Sequence, residues 1–183
     1  MDHATEDRQL LPVPEKRRTR RRWRTYSIGA VAGLTMLAGQ CAPQQCAPAP
    51  AAVGLSPQAQ QVVDLTNQRR ADVGLPALAV NGALTNAAQA HSNDQAARDR
   101  MGHDGSDGSR AGDRITAHGY RFSKWGENVG MGYPDAASVM DAWMNSEGHR
   151  RNIVDSDFTQ IGVALAYAPD GTPYWTQVFA RPG

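Results

Sequence analysis

The chain has 183 residues, of which 40% are hydrophobic and 20% are charged, and its formal net charge is +1 at pH 7. This length accommodates one domain and a tail. Residues 1–50 contain eight of the 19 basic and four of the 18 acidic residues, so residues 51–183 contain 11 basic and 14 acidic residues. This mildly acidic composition argues against a nucleic-acid partner, which requires Arg and Lys clustered on one face.

The basic charge is concentrated in a predicted export signal. Residues 16–24 (KRRTRRRWR) form a basic segment, and residues 28–39 are uncharged and rich in small apolar side chains. Such a stretch is too short for a finished transmembrane helix but matches a signal sequence, whether cleaved or kept as an anchor. We therefore predict a secreted or envelope-anchored protein that meets the membrane only through this segment. Residues 1–50 are the leader and linker, and residues 56–183 are the folded domain.

Both cysteines, Cys41 and Cys46, precede this predicted domain. A disulfide between them requires that any signal cleavage occur before Cys41. The domain itself contains no cysteine, so its stability must come from its core, for which its length is sufficient.

The first predicted helix begins with Ser56 as the N-cap and Pro57 at the first helical position, and Gly74 provides its stop. Asn67 and Arg70 are polar residues within this helix. We expect them to connect the helix to a neighbouring loop.

A second helix is predicted from about Gly82 to Arg100, with Asn81 as its cap. His91 lies on its alanine-rich face, and a lone histidine there is expected to be packed and hydrogen bonded instead of acting as a ligand. The glycine-rich residues 101–109 that follow are predicted to form a polar loop.

Further helices are predicted from about Ser109 to His118 and from Pro134 to a stop at Gly148. Two strands, Thr159–Tyr167 and Tyr174–Phe179, flank a strong turn at Pro169–Thr172 and therefore form an antiparallel hairpin. Helices followed by a hairpin indicate an α+β arrangement of layers.

Three residues at loops or predicted ends of elements attract attention as a candidate site. His103 lies in the glycine-rich loop, Glu127 follows Gly126, and His149 follows the predicted helix stop. Imidazole and carboxylate groups are standard ligands of divalent metals. However, the two histidines are 46 residues apart, which is no local metal motif, so a shared site and two unrelated histidines both remain open.

A series of short motifs gives a more specific indication. In chain order they are Asn67–Leu75, Ala90–Ser92, Met101–His103, Gly119–Tyr120, Gly126–Val129, Trp143–Ile153, Ile161–Val163 and Tyr174–Gln177. With these motifs, the region from about Val62 to Phe179 resembles the CAP superfamily of cysteine-rich secretory proteins, antigen 5 and pathogenesis-related proteins, also called the SCP domain. The short, cysteine-free form is similar to the bacterial secreted branch.

The resemblance implies a three-layer α-β-α sandwich with a central cleft that holds two histidines and two acidic residues. His103 and His149 correspond to the histidines, and Glu127 corresponds to the first acidic residue. Ser146 stands at the position of the second acidic residue. Glu147 is its neighbour, but one step along a helix rotates a side chain by about 100°, so Glu147 is no simple substitute.

The resemblance also implies that Zn²⁺ or another divalent cation binds between His103 and His149. Two imidazoles leave positions open for water, which is the geometry of a catalytic metal, and Glu127 is then the candidate catalytic base or the residue that orients an imidazole. Two protein ligands are one fewer than zinc enzymes commonly use, so weak binding is expected. Asn128 completes the set of predicted cleft residues, and we expect it to brace the segment of Glu127.

Two functions therefore remain open. The first is a binding module, expected to be a monomer, for an envelope component, a lipid or sterol-like molecule, or a protein partner. The second is a metal-dependent hydrolase of an extracellular substrate. No serine or cysteine nucleophile motif is present, and Ser146 removes one acidic group, so the sequence favours binding over catalysis.

Overall fold

The structure is a computed structural model that describes residues 54–183. The predicted leader, with Cys41 and Cys46, lies outside the described residues. The division into residues 1–50 and 56–183 therefore stays a prediction.

The described part of the chain consists of five helices and four strands. In order they are α1 (Pro57–Asp72), β1 (Ala79–Val80), α2 (Gly82–Arg98), α3 (Ala111–Ala117), β2 (Phe122–Met131), α4 (Ala136–Asn145), α5 (Glu147–Ile153), β3 (Gln160–Tyr167) and β4 (Pro173–Pro182).

The predicted starts of the first two helices are confirmed by their caps. The side chain of Ser56 accepts a hydrogen bond from the backbone N–H of Ala59, and Asn81 caps α2 in the same way. Helix α2 ends at Arg98, slightly earlier than predicted, because the backbone turns into the left-handed region at Asp99 with a φ of 50°.

The four strands form one sheet in the order β1-β3-β4-β2. The predicted β3–β4 hairpin is confirmed, β2 adds to β4 in antiparallel orientation, and β1 pairs with β3 in parallel. Strand β2 therefore lies at an edge of the sheet, although the sequence analysis assigned no strand to Phe122–Met131.

Helices cover both faces of this sheet. Trp175 and Phe179 of β4 lie in a core cluster with residues of α1 and α4, whereas Val178 and Ala180 lie in a second cluster with residues of α2 and α3. This alternation follows from the two-residue period of a strand. The three-layer α-β-α sandwich expected from the resemblance is confirmed.

Helix α2 lies unusually close to the sheet at Gly162 of β3. A Cβ atom at Gly162 would lie 2.2 Å from the backbone carbon of Leu84 and 2.3 Å from the backbone nitrogen of Thr85. Only glycine permits this contact, which brings the whole of α2 towards β3 and β4.

The segment from residue 134 to residue 153 corrects one prediction. A single helix ending at Gly148 was predicted, but α4 ends at Asn145 and Gly148 lies inside α5. The break is at Ser146, whose extended backbone (φ −99°, ψ 121°) ends one helix and begins the next. His149 is therefore a helical residue and does not follow a helix stop.

Arg70 explains how α1 is joined to the region after α5. Its buried guanidinium group donates hydrogen bonds to the backbone carbonyls of Pro76, Ile153, Asp155 and Phe158. The expected connection between this helix and neighbouring loops is confirmed.

Candidate binding cleft at the edge of the sheet

Glu127 occupies the centre of the candidate site. It lies on β2 opposite Val178 of β4, so its side chain projects to the face of the sheet that α2 and α3 cover. Only 2% of the side chain is exposed. Its Oε1 lies 2.9 Å from Nδ1 of His103, and its Oε2 accepts a hydrogen bond from Nη2 of Arg114 at 2.8 Å.

Arg114 connects three parts of the site. Besides Glu127, its guanidinium group donates to the backbone carbonyl of Ser109 at 2.8 Å and to that of His103 at 3.0 Å. It thereby fixes the 101–109 loop against α3 and β2. Arg114 is not among the predicted site residues, although a buried carboxylate requires a charged partner.

His103 is the exposed member of this group, with 58% of its side chain accessible. A carboxylate can only accept hydrogen bonds, so the ring nitrogen Nδ1 donates to Glu127. Nε2 is the ring nitrogen that this contact leaves for other interactions.

His91 lies behind the carboxylate and is buried. Its Nε2 is 2.8 Å from the carbonyl oxygen of Gly102 and 3.9 Å from Oε1 of Glu127. Burial lowers the pKa of His91 below its usual value of 6.5, against the opposing attraction of Glu127. We therefore assign a neutral imidazole that donates to Gly102, so its contact with Glu127 is no ion pair. This packed, hydrogen-bonded placement agrees with the expectation from the sequence.

His149 approaches the same edge of the sheet from α5. It lines a cavity of about 210 Å³ together with Ser146 and with the apolar side chains of Met101, Met131 and Tyr133. Burial, followed by repulsion from His103, lowers the pKa of His149. The lowered pKa keeps His149 neutral at pH 7.

Two residues of the predicted cleft lie elsewhere. Asn128 is fully buried and faces the opposite side of the sheet from Glu127, where its amide nitrogen donates to the carbonyl of His149 and to Gln177. Asn128 therefore connects β2 to α5 through its hydrogen bond to the backbone of His149. Glu147 is 77% exposed and pairs with Arg151, so its carboxylate does not enter the cleft.

A larger cavity of about 460 Å³ opens beside Glu127. Its lining residues are His103, Asp104, Arg110, Ala111, Trp125, Gly126, Glu127 and Asn152. We call this polar cavity the polar arm of the candidate cleft. The cavity at His149 shares no lining residue with it and is lined mainly by apolar side chains.

The donor groups of the cleft limit what metal it can hold. No group of three or more His, Cys, Asp or Glu residues is arranged to hold a metal ion within residues 54–183. Both oxygens of Glu127 already have partners, and Ser146 supplies no carboxylate. The residues that remain to hold a cation are His103, through Nε2, and His149.

None of the helices in residues 54–183 is long and apolar enough to cross a membrane.

The chain is similar to several bacterial proteins. YkwD, an uncharacterized protein of Bacillus subtilis, is 37% identical over 120 residues, which are 66% of this chain and 46% of YkwD. An extracellular protein containing a SCP domain from Bacillus anthracis is 32% identical; its structure matches with a TM-score of 0.61 and covers 70% of this chain and 45% of that protein. The matched region thus spans less than half the length of both relatives.

The fold is also shared with a more distant structure, that of NaASP2 with Zn²⁺, at a TM-score of 0.51 and 14% identity over 71% of this chain and 88% of that one. The family profile described as "Cysteine-rich secretory protein family" (CAP) matches residues 63–179, which is more than half of the chain. Together with the three-layer sandwich, this match shows that the chain belongs to the CAP family.

Proposed function

We propose that this CAP domain is exported and acts as a non-catalytic binding module, which recognises a component of the cell envelope in the cleft beside β2. The basic and apolar leader within residues 1–50 supports export, as does the relative from Bacillus anthracis that is described as extracellular. Secretion and anchoring both remain compatible with this proposal.

The observation that carries the proposal is the engagement of both Glu127 oxygens. A general base needs a carboxylate oxygen within hydrogen-bonding reach of the proton that it removes. Here Arg114 binds one oxygen at 2.8 Å and His103 binds the other at 2.9 Å. Such a carboxylate positions its neighbours and keeps the cleft rigid, which is the character of a preformed binding site.

A divalent cation, Zn²⁺ or another, fits this cleft only as a weakly held component. His103 Nε2 and His149 would hold it, while Glu127 orients the ring of His103 through Nδ1, as carboxylates commonly do for metal-bound histidines. When bound, the cation would supply a Lewis acid. Residues 54–183 contribute no third His, Cys, Asp or Glu ligand, so we expect a weak affinity for the cation.

The alternative is a metal-dependent hydrolase that uses the same histidines, with Glu127 as the base. The contact between the carboxylate and His103 favours it, because this pairing is common in catalytic zinc sites. It requires substrate to reach a carboxylate that is only 2% exposed and that already accepts hydrogen bonds from Arg114 and His103. That requirement makes the alternative weaker than the binding module.

The test measures retention and turnover in one experiment. The purified protein is incubated with isolated envelope fractions, with and without Zn²⁺, and both the retained protein and the soluble fragments released are quantified by mass spectrometry. We expect retention without release of fragments. We also expect the His103→Ala, His149→Ala double variant to lose most of the retention, whereas Glu147→Gln, at an exposed position outside the cleft, retains it.

Two outcomes contradict the proposal. Zinc-dependent release of fragments that the double variant cannot produce would establish the hydrolase. Equal retention of the wild-type protein and the double variant would show that the cleft is not the binding site. Extraction of the retained material then identifies whether the ligand is a lipid, a sterol-like molecule, a glycan or a protein.

A further inference from the structure

Trp125 is an exposed aromatic residue inside the polar arm of the cleft. Trp125 precedes Glu127 by two residues on β2, so the side chains of Trp125 and Glu127 project from the same face of the strand. This spacing separates the Cα atoms of Trp125 and Glu127 by about 7 Å along the strand. In the sheet, Trp125 lies opposite Ala180 of β4. Trp125 is 40% exposed, whereas Trp143 and Trp175 are buried in the core.

The position of the Trp125 indole is fixed by a glycine of α3. A Cβ atom at Gly112 would lie 2.9 Å from Nε1 of Trp125 and 3.3 Å from its Cε2. The ring thus rests against α3 where a larger residue would displace it. An exposed tryptophan that is fixed on one side provides a rigid surface at low cost in conformational entropy.

The groups around the indole are polar. Asp104, Arg110 and Asn152 line the same cavity of about 460 Å³, and Asp104 and Arg110 are exposed at its rim. Their charges are opposite, and the charge of Glu127 is compensated by Arg114. An acyl chain in this cavity would remove charged groups from water without giving them a partner, which is costly. A neutral ligand rich in hydroxyl groups satisfies both the aromatic surface and the polar rim.

We propose that the polar arm of the cleft binds a pyranose ring of a neutral glycan, which stacks its C–H face on the indole of Trp125 and hydrogen bonds to Asp104, Arg110 and Asn152. This inference rests on the proposed function, since it names the chemistry of the envelope component that the same cleft recognises. Trp125 is then the main residue that selects a sugar over a lipid.

The test titrates the purified protein, labelled with 15N, with chitotetraose, with cellotetraose and with phosphatidylcholine vesicles. We expect a tetrasaccharide to shift the indole N–H resonance of Trp125. The indole N–H groups of Trp143 and Trp175 donate to the carbonyls of Val129 and Tyr133 and serve as internal references. Calorimetry on the same samples gives the dissociation constants.

Three variants separate the aromatic surface from the fold. Trp125→Ala is expected to weaken binding of the tetrasaccharide about tenfold or more, and Trp125→Phe, which keeps an aromatic ring, to weaken it less. Gly112→Ala retains the tryptophan yet displaces its indole, so it is expected to weaken binding, and thermal unfolding of the same variant verifies that the domain stays folded.

Each contrary result has a definite meaning. If neither tetrasaccharide binds while envelope retention still depends on His103 and His149, the glycan inference is wrong and the binding module stands. If vesicles and not the sugars shift the Trp125 resonance, the ligand is a lipid. If a sugar binds Trp125→Ala and Gly112→Ala as tightly as wild type, Trp125 is not the binding surface. If envelope retention is independent of the cleft, both proposals fail.

Discussion

The contact between Arg114 and Glu127 is the strongest electrostatic constraint on the cleft. The side chain of Arg114 is 9% exposed and that of Glu127 is 2% exposed, so both charges are largely removed from water. Such pairs contribute little compared with apolar residues of the same shape, but removal of one partner leaves an uncompensated buried charge. His103 is too exposed to supply the missing compensation alone.

We therefore expect Arg114→Met to lower the free energy of unfolding by about 3 kcal/mol, because it strands the carboxylate of Glu127. Arg110→Met, at the exposed N-cap position that precedes the same helix, is expected to change it by less than about 0.5 kcal/mol. Urea denaturation followed by far-UV circular dichroism measures both values. Similar stability of the two variants would show that Glu127 does not depend on Arg114.

His91, which is buried, and His149, which is partly buried, predict a dependence of stability on pH. Burial lowers the pKa of His91 and His149 below the value of 6.5 found in unfolded chains, so the unfolded state binds more protons than the folded state below that pH. Their contribution is therefore present above pH 6.5 and is lost as the pH falls below it.

We expect the wild-type free energy of unfolding to decrease between pH 7.5 and 5, and His91→Gln to show a smaller decrease. Glutamine has no proton to gain in this range, and its amide nitrogen can donate to the carbonyl of Gly102 as Nε2 of His91 does. Chemical denaturation at the two pH values provides the comparison. Parallel curves for wild type and variant would rule out His91 as a source of the acid sensitivity.

At the scale of elements, the packing of α2 against the sheet depends on the missing side chain at Gly162. The surrounding atoms are backbone atoms of Leu84 and Thr85, which cannot rotate away. Any side chain here must separate α2 from β3 and thus disturb the helix that presents His91 behind Glu127.

We expect Gly162→Ala to destabilise the domain by about 3 kcal/mol or more, since overpacking against backbone is poorly relieved. Gly148→Ala provides the contrast: a Cβ there would be 4.0 Å from its nearest neighbour, Arg151, and the residue is helical. It is expected to raise stability by about 0.5 kcal/mol. Thermal unfolding of both variants tests this, and a destabilised Gly148→Ala would restore the earlier idea that Gly148 ends a helix.

Local signals were sufficient to predict α1, α2 and the β3–β4 hairpin, because caps, prolines and a turn stand at their ends. They were insufficient for β2, whose buried residues include Gly126, Glu127 and Asn128 in place of alternating apolar side chains. The break between α4 and α5 at Ser146 was also not predicted, because the backbone leaves the helix there without glycine or proline. Both failures fall at the cleft, where the chain departs from ordinary packing rules.

For the molecule as a whole, the resemblance to the CAP family named His103, Glu127 and His149, and the structure puts the first two in direct contact. Sequence spacing could not indicate Arg114, since its partnership with Glu127 is created by the packing of α3 on β2. Sequence spacing also could not indicate that Glu127 and Asn128, which are neighbours in the chain, point to opposite faces of the sheet and contact different helices.

This opposition between Glu127 and Asn128 has a consequence for misfolding. If β2 shifted by one residue along β4, Glu127 would replace Asn128 as the neighbour of Gln177. Asn128 would then replace Glu127 as the neighbour of Arg114. Each mismatch strands polar atoms away from water, so alternative alignments of this outer strand are strongly disfavoured. Glu127 and Asn128 thereby also fix the register of this edge strand during folding.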